Sequence, residues 1–221
     1  MTSLLTINAE NLQRSTQSFY IFQEPSIYSG GQTVYINSLY CQTLGNYEST
    51  GATLTFQANM QSFAAIQQAH SYPVVGQPSG FASAFYPIDL APTHGATNHW
   101  TTASVAPLGL TRPTAGVGVR PGAFRITTPS YSPPAFYNIG SAVQINGGLA
   151  LSNFVIADPV SDIDCQPILQ FYVQTGRYMP GMVTNFNQAA MNAALCDFTG
   201  GHSVINVTLN PDGSWTTRII L

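Results

Sequence analysis

Apolar and polar residues alternate along much of the chain, which is the pattern of β-strands with one buried face. In residues 52–58, Leu54 and Phe56 are predicted to face a core while the intervening Thr and Gln residues face solvent. Other runs are rich in aromatic and β-branched residues, which favour strands. They predict further strands at residues 18–23, 33–40, 81–86, 100–105, 123–127 and 168–175.

Two hairpins are predicted from their turn residues. Asn146-Gly147 supplies the positive φ angles that a two-residue hairpin turn requires. In the segment 210–213, Asn-Pro-Asp-Gly, proline presets φ and glycine accepts a left-handed conformation. The predicted strand pairs are 142–145 with 149–156, and 204–209 with 214–221, so the chain is predicted to end in a strand.

One short helix is predicted near residues 186–197. Apolar residues recur at helical spacing from Phe186 to Ala194, and Asn185 is placed to cap the first turn. Gly200-Gly201 lies where the helix should already have stopped. An irregular loop is the alternative interpretation of this segment.

Prolines concentrate in the middle of the chain. Ten of the fifteen lie between Pro73 and Pro134, interleaved with Gly, Ser and Thr, and this spacing forbids long central strands. A linker between two domains is one interpretation, but aromatic residues such as Phe85 and Trp100 favour loops packed on a sheet. We therefore expect one mainly β domain over residues 1–221, an antiparallel β-sandwich of jelly-roll-like type with long Pro/Gly-rich loops.

Charged residues are scarce, and lysine is absent. Six arginines and nine acidic residues make up 7% of the chain and leave a net charge of −3, against about 25% charged residues in an ordinary domain. So few basic residues cannot form the stripe that nucleic acid requires, nor hold the chain on anionic lipid. Neither nucleic acid nor a membrane is an expected partner.

Ser, Thr, Asn and Gln take the place of the missing charges, so the exterior is predicted to be neutral and hydrogen-bonding. Lysine normally protects exposed strand edges from pairing with another molecule. Our leading hypothesis is therefore a structural or storage-like protein that forms a homo-oligomer or an ordered assembly through neutral surfaces.

The apolar runs of the chain are short. Residues 154–157 and 219–221 are typical, and both fall far below the roughly 20 residues needed to cross a bilayer. The first seven residues have neither a basic region nor a long apolar region of the kind found in a signal peptide. A cytoplasmic protein is expected, although a trimmed secreted form would have the same sequence.

Cys41, Cys165 and Cys196 are an odd number of cysteines at long spacings. This pattern fits neither a disulfide framework nor a Cys-x-x-Cys metal site. Buried, reduced thiols are expected, with Cys196 in or near the last turn of the predicted helix.

Two groups of residues are candidate metal ligands. Asp158, Asp162 and Asp164 lie close together, and in an extended segment the last two would point the same way and share a calcium ion. A solvated turn, in which the aspartates bond to nearby backbone N–H groups, is the alternative. His94 and His99, helped by Asp89 or His202, are a weaker candidate for a transition metal, and ordinary loop histidines are the alternative.

No catalytic motif is present. The chain has no Gly-x-Ser-x-Gly element, and its four histidines show no partner pattern. Nine acidic residues permit a glycosidase pair but do not indicate one. The glycines of residues 116–122 are not followed by the lysine of a phosphate-binding loop. A non-catalytic protein without a cofactor is expected, apart from the calcium alternative.

Aromatic residues lie among Asn, Gln, Ser and Thr, the combination used by sugar-binding sites and by uncharged protein interfaces. The alternative function is therefore a lectin-like module for a neutral ligand such as carbohydrate. Its site is predicted in the loops of residues 73–137, and its speculative ligand-binding residues are Tyr86, Trp100, Tyr131 and Tyr137.

The N-terminal strand sequences carry a resemblance. Residues 19–31 (FYIFQEPSIYSGG), 34–40 (VYINSLY) and 51–56 (GATLTF) resemble the N-terminal part of the rhizosphere-induced, RhiA-like proteins, and 212–215 (DGSW) is similar too. The resemblance is strongest over residues 1–70. It implies an abundant, soluble, intracellular protein, and it implies no catalytic or ligand-binding residue because no biochemical activity is established for that family.

Overall fold

A computed structural model describes residues 4–132 and 136–220, which form nineteen strands and two short helices. The helices are α1 (Tyr47–Thr50) and α2 (Phe186–Met191). The strands are β1 (Leu4–Asn11), β2 (Gln17–Gln23), β3 (Ile27–Tyr28), β4 (Tyr35–Asn37), β5 (Tyr40–Leu44), β6 (Leu54–Asn59), β7 (Phe63–Ala69), β8 (Ala82–Pro87), β9 (Trp100–Val105), β10 (Leu108–Leu110), β11 (Phe124–Thr127), β12 (Phe136–Ile145), β13 (Gly148–Ile156), β14 (Asp162–Gln166), β15 (Gln170–Thr175), β16 (Val183–Thr184), β17 (Ala194–Asp197), β18 (Val204–Leu209) and β19 (Trp215–Ile220).

The strands form three sheets. The largest has ten strands, eight of them in the order β16-β4-β13-β12-β6-β1-β18-β19. In addition, β7 pairs with the first half of β12, and β8 pairs with β7. The second has the order β17-β15-β2-β5, and the third β10-β9-β11-β14-β3. Pairing is antiparallel except between β1 and β18 and between β9 and β11. The register of β12 against β13 shifts between Ser141 and Ala142, near the point where the neighbour of β12 changes from β7 to β6.

Two buried clusters hold the sheets together. In the first, β1, β6 and β18 of the large sheet pack on β2 and β15 through residues such as Ile7, Phe56 and Phe171. In the second, β7 and β12 pack on β11 and β14 through residues such as Ile139 and Phe124. Burial of these apolar side chains is the main favourable contribution to folding. The layered arrangement confirms the predicted mainly β, antiparallel β-sandwich class.

The helix prediction is correct only in its first half. Asn185 caps α2 as predicted, because its side chain accepts a hydrogen bond from the backbone N–H of Gln188 at 3.1 Å. The helix ends at Met191, however, and residues 194–197 form β17 instead. Pairing with β15 and burial of Cys196 in the first cluster stabilise the strand, and together they outweigh a weak local preference for helix.

The predictions for β6 and for the two hairpins are confirmed, whereas the strand predicted at 33–40 is divided in two. Leu54 and Phe56 are buried in β6 and both hairpins are present, with Asn146 and Gly147 at φ of 48° and 85°. Leu221, predicted as the last strand residue, lies outside the described residues. The single strand predicted at 33–40 is instead two strands, β4 and β5, because Ser38 leaves the sheet to bond the backbone of Met182 and Tyr178.

The proline-rich middle of the chain forms loops packed around β8, β9, β10 and β11. Ser79 illustrates this packing: it is buried, and its hydroxyl bonds the side chains of Asn37 and Gln67. Pro133 and Pro134, which belong to the predicted loop region, lie outside the described residues. In the part of the chain that the structure describes, no helix has the length and apolar character needed to cross a bilayer.

Candidate functional site

Two of the four predicted ligand-binding aromatic residues belong to the second buried cluster. Tyr137 is 6% exposed, and the ring of Tyr131 packs edge-on against it with centroids 4.9 Å apart. The Tyr131 hydroxyl donates a hydrogen bond to the backbone oxygen of Ala157. The structure therefore places these two rings together, but in contact with each other and with the core.

Trp100 and Tyr86 lie on other strands. The indole of Trp100, on β9, donates to the Thr127 hydroxyl at 2.8 Å, and the Arg125 guanidinium lies 4.8 Å from its ring centroid. Gly116 lies so close to this ring that a Cβ there would be 2.0 Å from it. Tyr86, on β8, borders a shallow cavity of about 190 Å³. The Trp100 side chain is therefore in contact with Thr127, Arg125 and Gly116 of the same chain.

Two of the three aspartates predicted as calcium ligands lie against an arginine side chain. Asp162 and Asp164 lie on β14, and their side chains point the same way, as the extended interpretation predicted. Asp164 binds Arg125 through both carboxylate oxygens, with Nε–Oδ1 and Nη2–Oδ2 distances of 2.6 and 3.0 Å. Asp162 lies 3.6 Å from Nη1 of the same arginine and accepts a bond from Thr127. The alternative of a solvated turn is wrong for these two residues because β14 pairs with β11.

The remaining candidate ligands are dispersed. Asp158 accepts a hydrogen bond from Gln32 at 2.8 Å. His99 is buried, with Nδ1 bonded to Thr97 and Nε2 to the backbone oxygen of Gly116. His94 is exposed. Over residues 4–132 and 136–220, no group of three or more His, Cys, Asp or Glu side chains is arranged to hold a metal ion.

All three cysteines are free thiols. Cys165 and Cys196 are buried, and burial raises the pKa of each thiol to about 12. Cys41 is partly exposed, and its pKa is also raised by burial. Since the thiolate is the reactive form, these cysteines are poor nucleophiles at neutral pH.

A cavity of about 510 Å³, here called the polar cavity, opens beside the second sheet. Its size falls in the range of ligand pockets, about 300–1,000 Å³. It is formed where β2, β15, β16, α2 and the turn between β18 and β19 meet. The side chains used below are those of Tyr20, Tyr178, Thr184, Gln188, Asn192 and Trp215.

Strand alternation positions Tyr20 in this cavity. Phe19 and Ile21 of β2 point into the first buried cluster, so Tyr20 lies on the opposite face of the sheet. There its ring packs on that of Tyr178, with centroids 4.9 Å apart. Trp215 begins β19 directly after the predicted 210–213 turn and packs edge-on against Phe19 at 5.8 Å.

The short helix contributes the amide groups of the cavity. Gln188 and Asn192 are four residues apart, so they lie on the same side of α2 and its C-terminal cap. Both are exposed. The backbone oxygen of Asn192 accepts a hydrogen bond from the Trp215 indole at 2.9 Å, which ties the end of the helix to β19.

Many polar groups around this cavity have hydrogen-bonding capacity to spare. Gln188 and Asn192 bond only through backbone atoms to the rest of the described chain, and the same is true of Tyr178. The hydroxyl of Thr184 is buried and has no hydrogen-bond partner within residues 4–132 and 136–220. A ligand with hydroxyl groups would find both donors and acceptors here.

The side chains that line the polar cavity carry no charge. Burial raises the pKa of the Tyr20 phenol well above its usual range, and the neighbouring Tyr178 raises it further. This phenol therefore remains neutral at physiological pH. The cavity favours a neutral guest, because an ion would lose its hydration without gaining an opposite charge.

None of the four predicted ligand-binding aromatics lines the polar cavity, although Trp215 belongs to the wider set of aromatic residues among polar neighbours. The sequence does contain a signal for this site. Residues 178–196 lack any charged side chain and contain four Asn or Gln residues, which are Asn185, Asn187, Gln188 and Asn192. Such a run next to a capped helix indicates a neutral, hydrogen-bonding surface.

Comparison with protein-family models, with curated proteins and with solved structures found no match to this chain. The resemblance to the rhizosphere-induced proteins over residues 1–70 therefore stays a prediction.

Proposed function

We propose that this protein binds a neutral, hydroxyl-rich ligand of the carbohydrate class in the polar cavity. One observation carries the proposal: uncharged side chains with unused hydrogen-bonding groups line an open, ligand-sized cavity that also presents aromatic rings. This is the lectin-like function predicted as the alternative from composition. The proposed site, however, lies around α2 and not in the loops of residues 73–137.

The chemistry of the lining suits sugars. Each sugar hydroxyl donates and accepts, and the carboxamides of Gln188 and Asn192 offer both functions from one group. The rings of Tyr178 and Trp215 provide flat apolar surface for the C–H face of a pyranose. Because the lining side chains are hydroxyls, carboxamides and aromatic rings, with no titratable group suited to proton transfer near neutral pH, the proposal is for binding without turnover.

A neutral glycan array, followed by isothermal titration calorimetry of the full chain with the best binder, tests this function. Tyr178→Phe and Gln188→Ala each remove one hydrogen-bonding group from the cavity, and we expect each to weaken binding by about 3- to 10-fold. Tyr47→Phe and Gln57→Ala, at exposed positions on α1 and β6, are matched controls and should leave affinity unchanged. A blank array, or equal losses in the control variants, would contradict the proposal.

Self-association through neutral surfaces is the second candidate function. It is favoured by the exposure of Tyr72, Val74, Val75 and Phe81, here called the apolar patch, whose side chains are each at least half exposed. These residues lie in and beside a largely apolar cavity of about 500 Å³. Exposed apolar patches of this kind mark interaction sites.

Light scattering over a concentration series tests self-association. Contacts between neutral surfaces should persist at about 1 M salt, where charge pairing is screened within about 3 Å. We expect Val74→Asp to reduce association and Val117→Asp, at an exposed valine of another loop, to leave it unchanged. A protein that remains strictly monomeric at millimolar concentration would exclude this function.

A further inference from the structure

A second cavity adjoins the polar cavity. It has a volume of about 400 Å³ and is lined by Tyr35, Phe186, Asn187 and neighbouring uncharged residues. Thr184 and Asn185, which form the junction from β16 into α2, line both cavities. Two neutral cavities therefore share part of one wall.

Thr184 is the buried residue common to the two walls. It is 4% exposed, and its hydroxyl has no hydrogen-bond partner in the part of the chain that the structure describes. Buried polar groups in native proteins are almost always hydrogen-bonded, and leaving one without a partner costs free energy. The unpaired hydroxyl marks the wall shared by the two cavities as a place where a polar group is buried without compensation within the described residues.

Asn185 lies at the junction as well, and it is exposed. Its Oδ1 atom accepts the bond from the Gln188 backbone that caps α2, which leaves the two N–H groups of its carboxamide free to donate. Beyond the junction, the ring of Tyr35 stacks against Phe154, with centroids 5.5 Å apart. The second cavity therefore offers aromatic rings and the carboxamides of Asn185 and Asn187, in a lining that is otherwise mostly apolar.

We infer that the ligand is a linear neutral oligosaccharide that occupies both cavities and crosses the junction at Thr184 and Asn185. This inference rests on the proposed function, because it extends the polar cavity by a second subsite. Hydroxyls of one sugar unit bind in the polar cavity, a linking unit passes over Asn185, and a further unit packs near Tyr35 and Asn187.

Titration calorimetry with cello-, malto- and xylo-oligosaccharides of one to six units tests the inference. Affinity should rise by about tenfold or more between the disaccharide and the tetrasaccharide and then level off, because only the longer chains reach both cavities. Tyr35→Phe and Asn187→Ala should weaken binding of the longer chains several-fold and leave mono- and disaccharide affinity unchanged. Tyr178→Phe should weaken both, and Gln57→Ala neither.

Equal affinity for all lengths, or no effect of Tyr35→Phe and Asn187→Ala on the longer chains, would overturn the inference while leaving the proposed function intact. Absence of binding at every length and linkage, together with a blank array, would overturn both. Circular dichroism and thermal unfolding of each variant establish that a loss of binding reflects the cavity and not the fold.

Discussion

Arg125 holds the largest concentration of charge interactions in the described structure. Its guanidinium binds Asp164 through two hydrogen bonds, approaches Asp162, contacts the Trp100 ring and donates to the backbone oxygen of Gly118. The hydrogen bond to Asp164 also raises the pKa of the guanidinium above its ordinary value. One of the six arginines therefore joins β9, β11 and β14.

Replacing this arginine should destabilise the fold. Arg125→Met leaves Asp164, whose side chain is 16% exposed, without its cation, and we expect the free energy of unfolding to fall by about 2–3 kcal/mol. Chemical denaturation measures the change. Arg218→Met, at an exposed position on β19, is the control and should stay within about 0.5 kcal/mol of the parent protein. A loss at Arg125 no larger than at Arg218 would show that the cluster does not stabilise the fold.

The buried thiol of Cys196 should make the free energy of unfolding depend on pH in the alkaline range. The folded thiol has its pKa raised to about 12 by burial, whereas an unfolded thiol loses its proton near about 8.5. Between these values the folded state binds more protons, so the free energy of unfolding must fall as pH rises. Cys196→Ala removes this contribution and should make the decline between about pH 9 and 11 shallower, by up to about 1.4 kcal/mol per pH unit. Parallel declines for the two proteins would contradict the assigned burial.

At the scale of elements, the turn between β12 and β13 depends on one glycine. Gly147 has φ of +85°, a conformation that side chains rarely adopt. We expect Gly147→Ala to lower the free energy of unfolding by about 1 kcal/mol. Gly148→Ala is the matched control, because that glycine has no positive φ and an added Cβ would meet only ordinary contacts. Equal effects of the two changes, measured by urea unfolding, would mean that backbone conformation does not limit this hairpin.

Strands with regular alternation and well-marked turns could be predicted from the sequence, as β6 and the two hairpins show. β7 could not, because it is paired on both sides, by β12 and β8, and its run FAAIQQA has no alternating pattern. The predicted helix includes the residues of β17 because apolar residues recur at helical spacing from Phe186 to Ala194 and Gly200-Gly201 is the next stop signal. The partner of β17, β15, is distant enough in sequence that no local pattern indicates the pairing.

The same limit applies to the candidate site. The residue types of the site could be predicted, since neutral polar side chains are abundant and charged ones scarce. The place where they come together could not. Tyr20, Tyr178 and Trp215 are far apart in sequence. They come together because β2 packs beneath α2 and β19 follows the last turn, and this packing depends on long-range pairing that a single sequence does not specify.

Across the whole molecule, the scarcity of charged residues extends to the two cavities, whose linings contain no charged side chain. The second sheet and α2 form a surface in which hydroxyl, carboxamide and aromatic groups face a common space. Ligand binding to this surface should be almost independent of ionic strength, because no ion pair forms. A ligand that binds only the folded state should also raise the unfolding temperature, with a stabilisation that grows as the logarithm of one plus the ratio of ligand concentration to Kd.

Side-chain NMR of the full, ¹⁵N-labelled chain, titrated with the neutral oligosaccharide selected by the array, tests whether the sugar binds in the polar cavity. We expect saturable shifts of the Gln188 and Asn192 amides and of the Trp215 indole N–H, with the same Kd at low salt and at about 1 M salt. The Trp100 indole and the Gln57 amide should not move. Shifts centred on Trp100, or no saturable shift near α2, would contradict binding in the polar cavity.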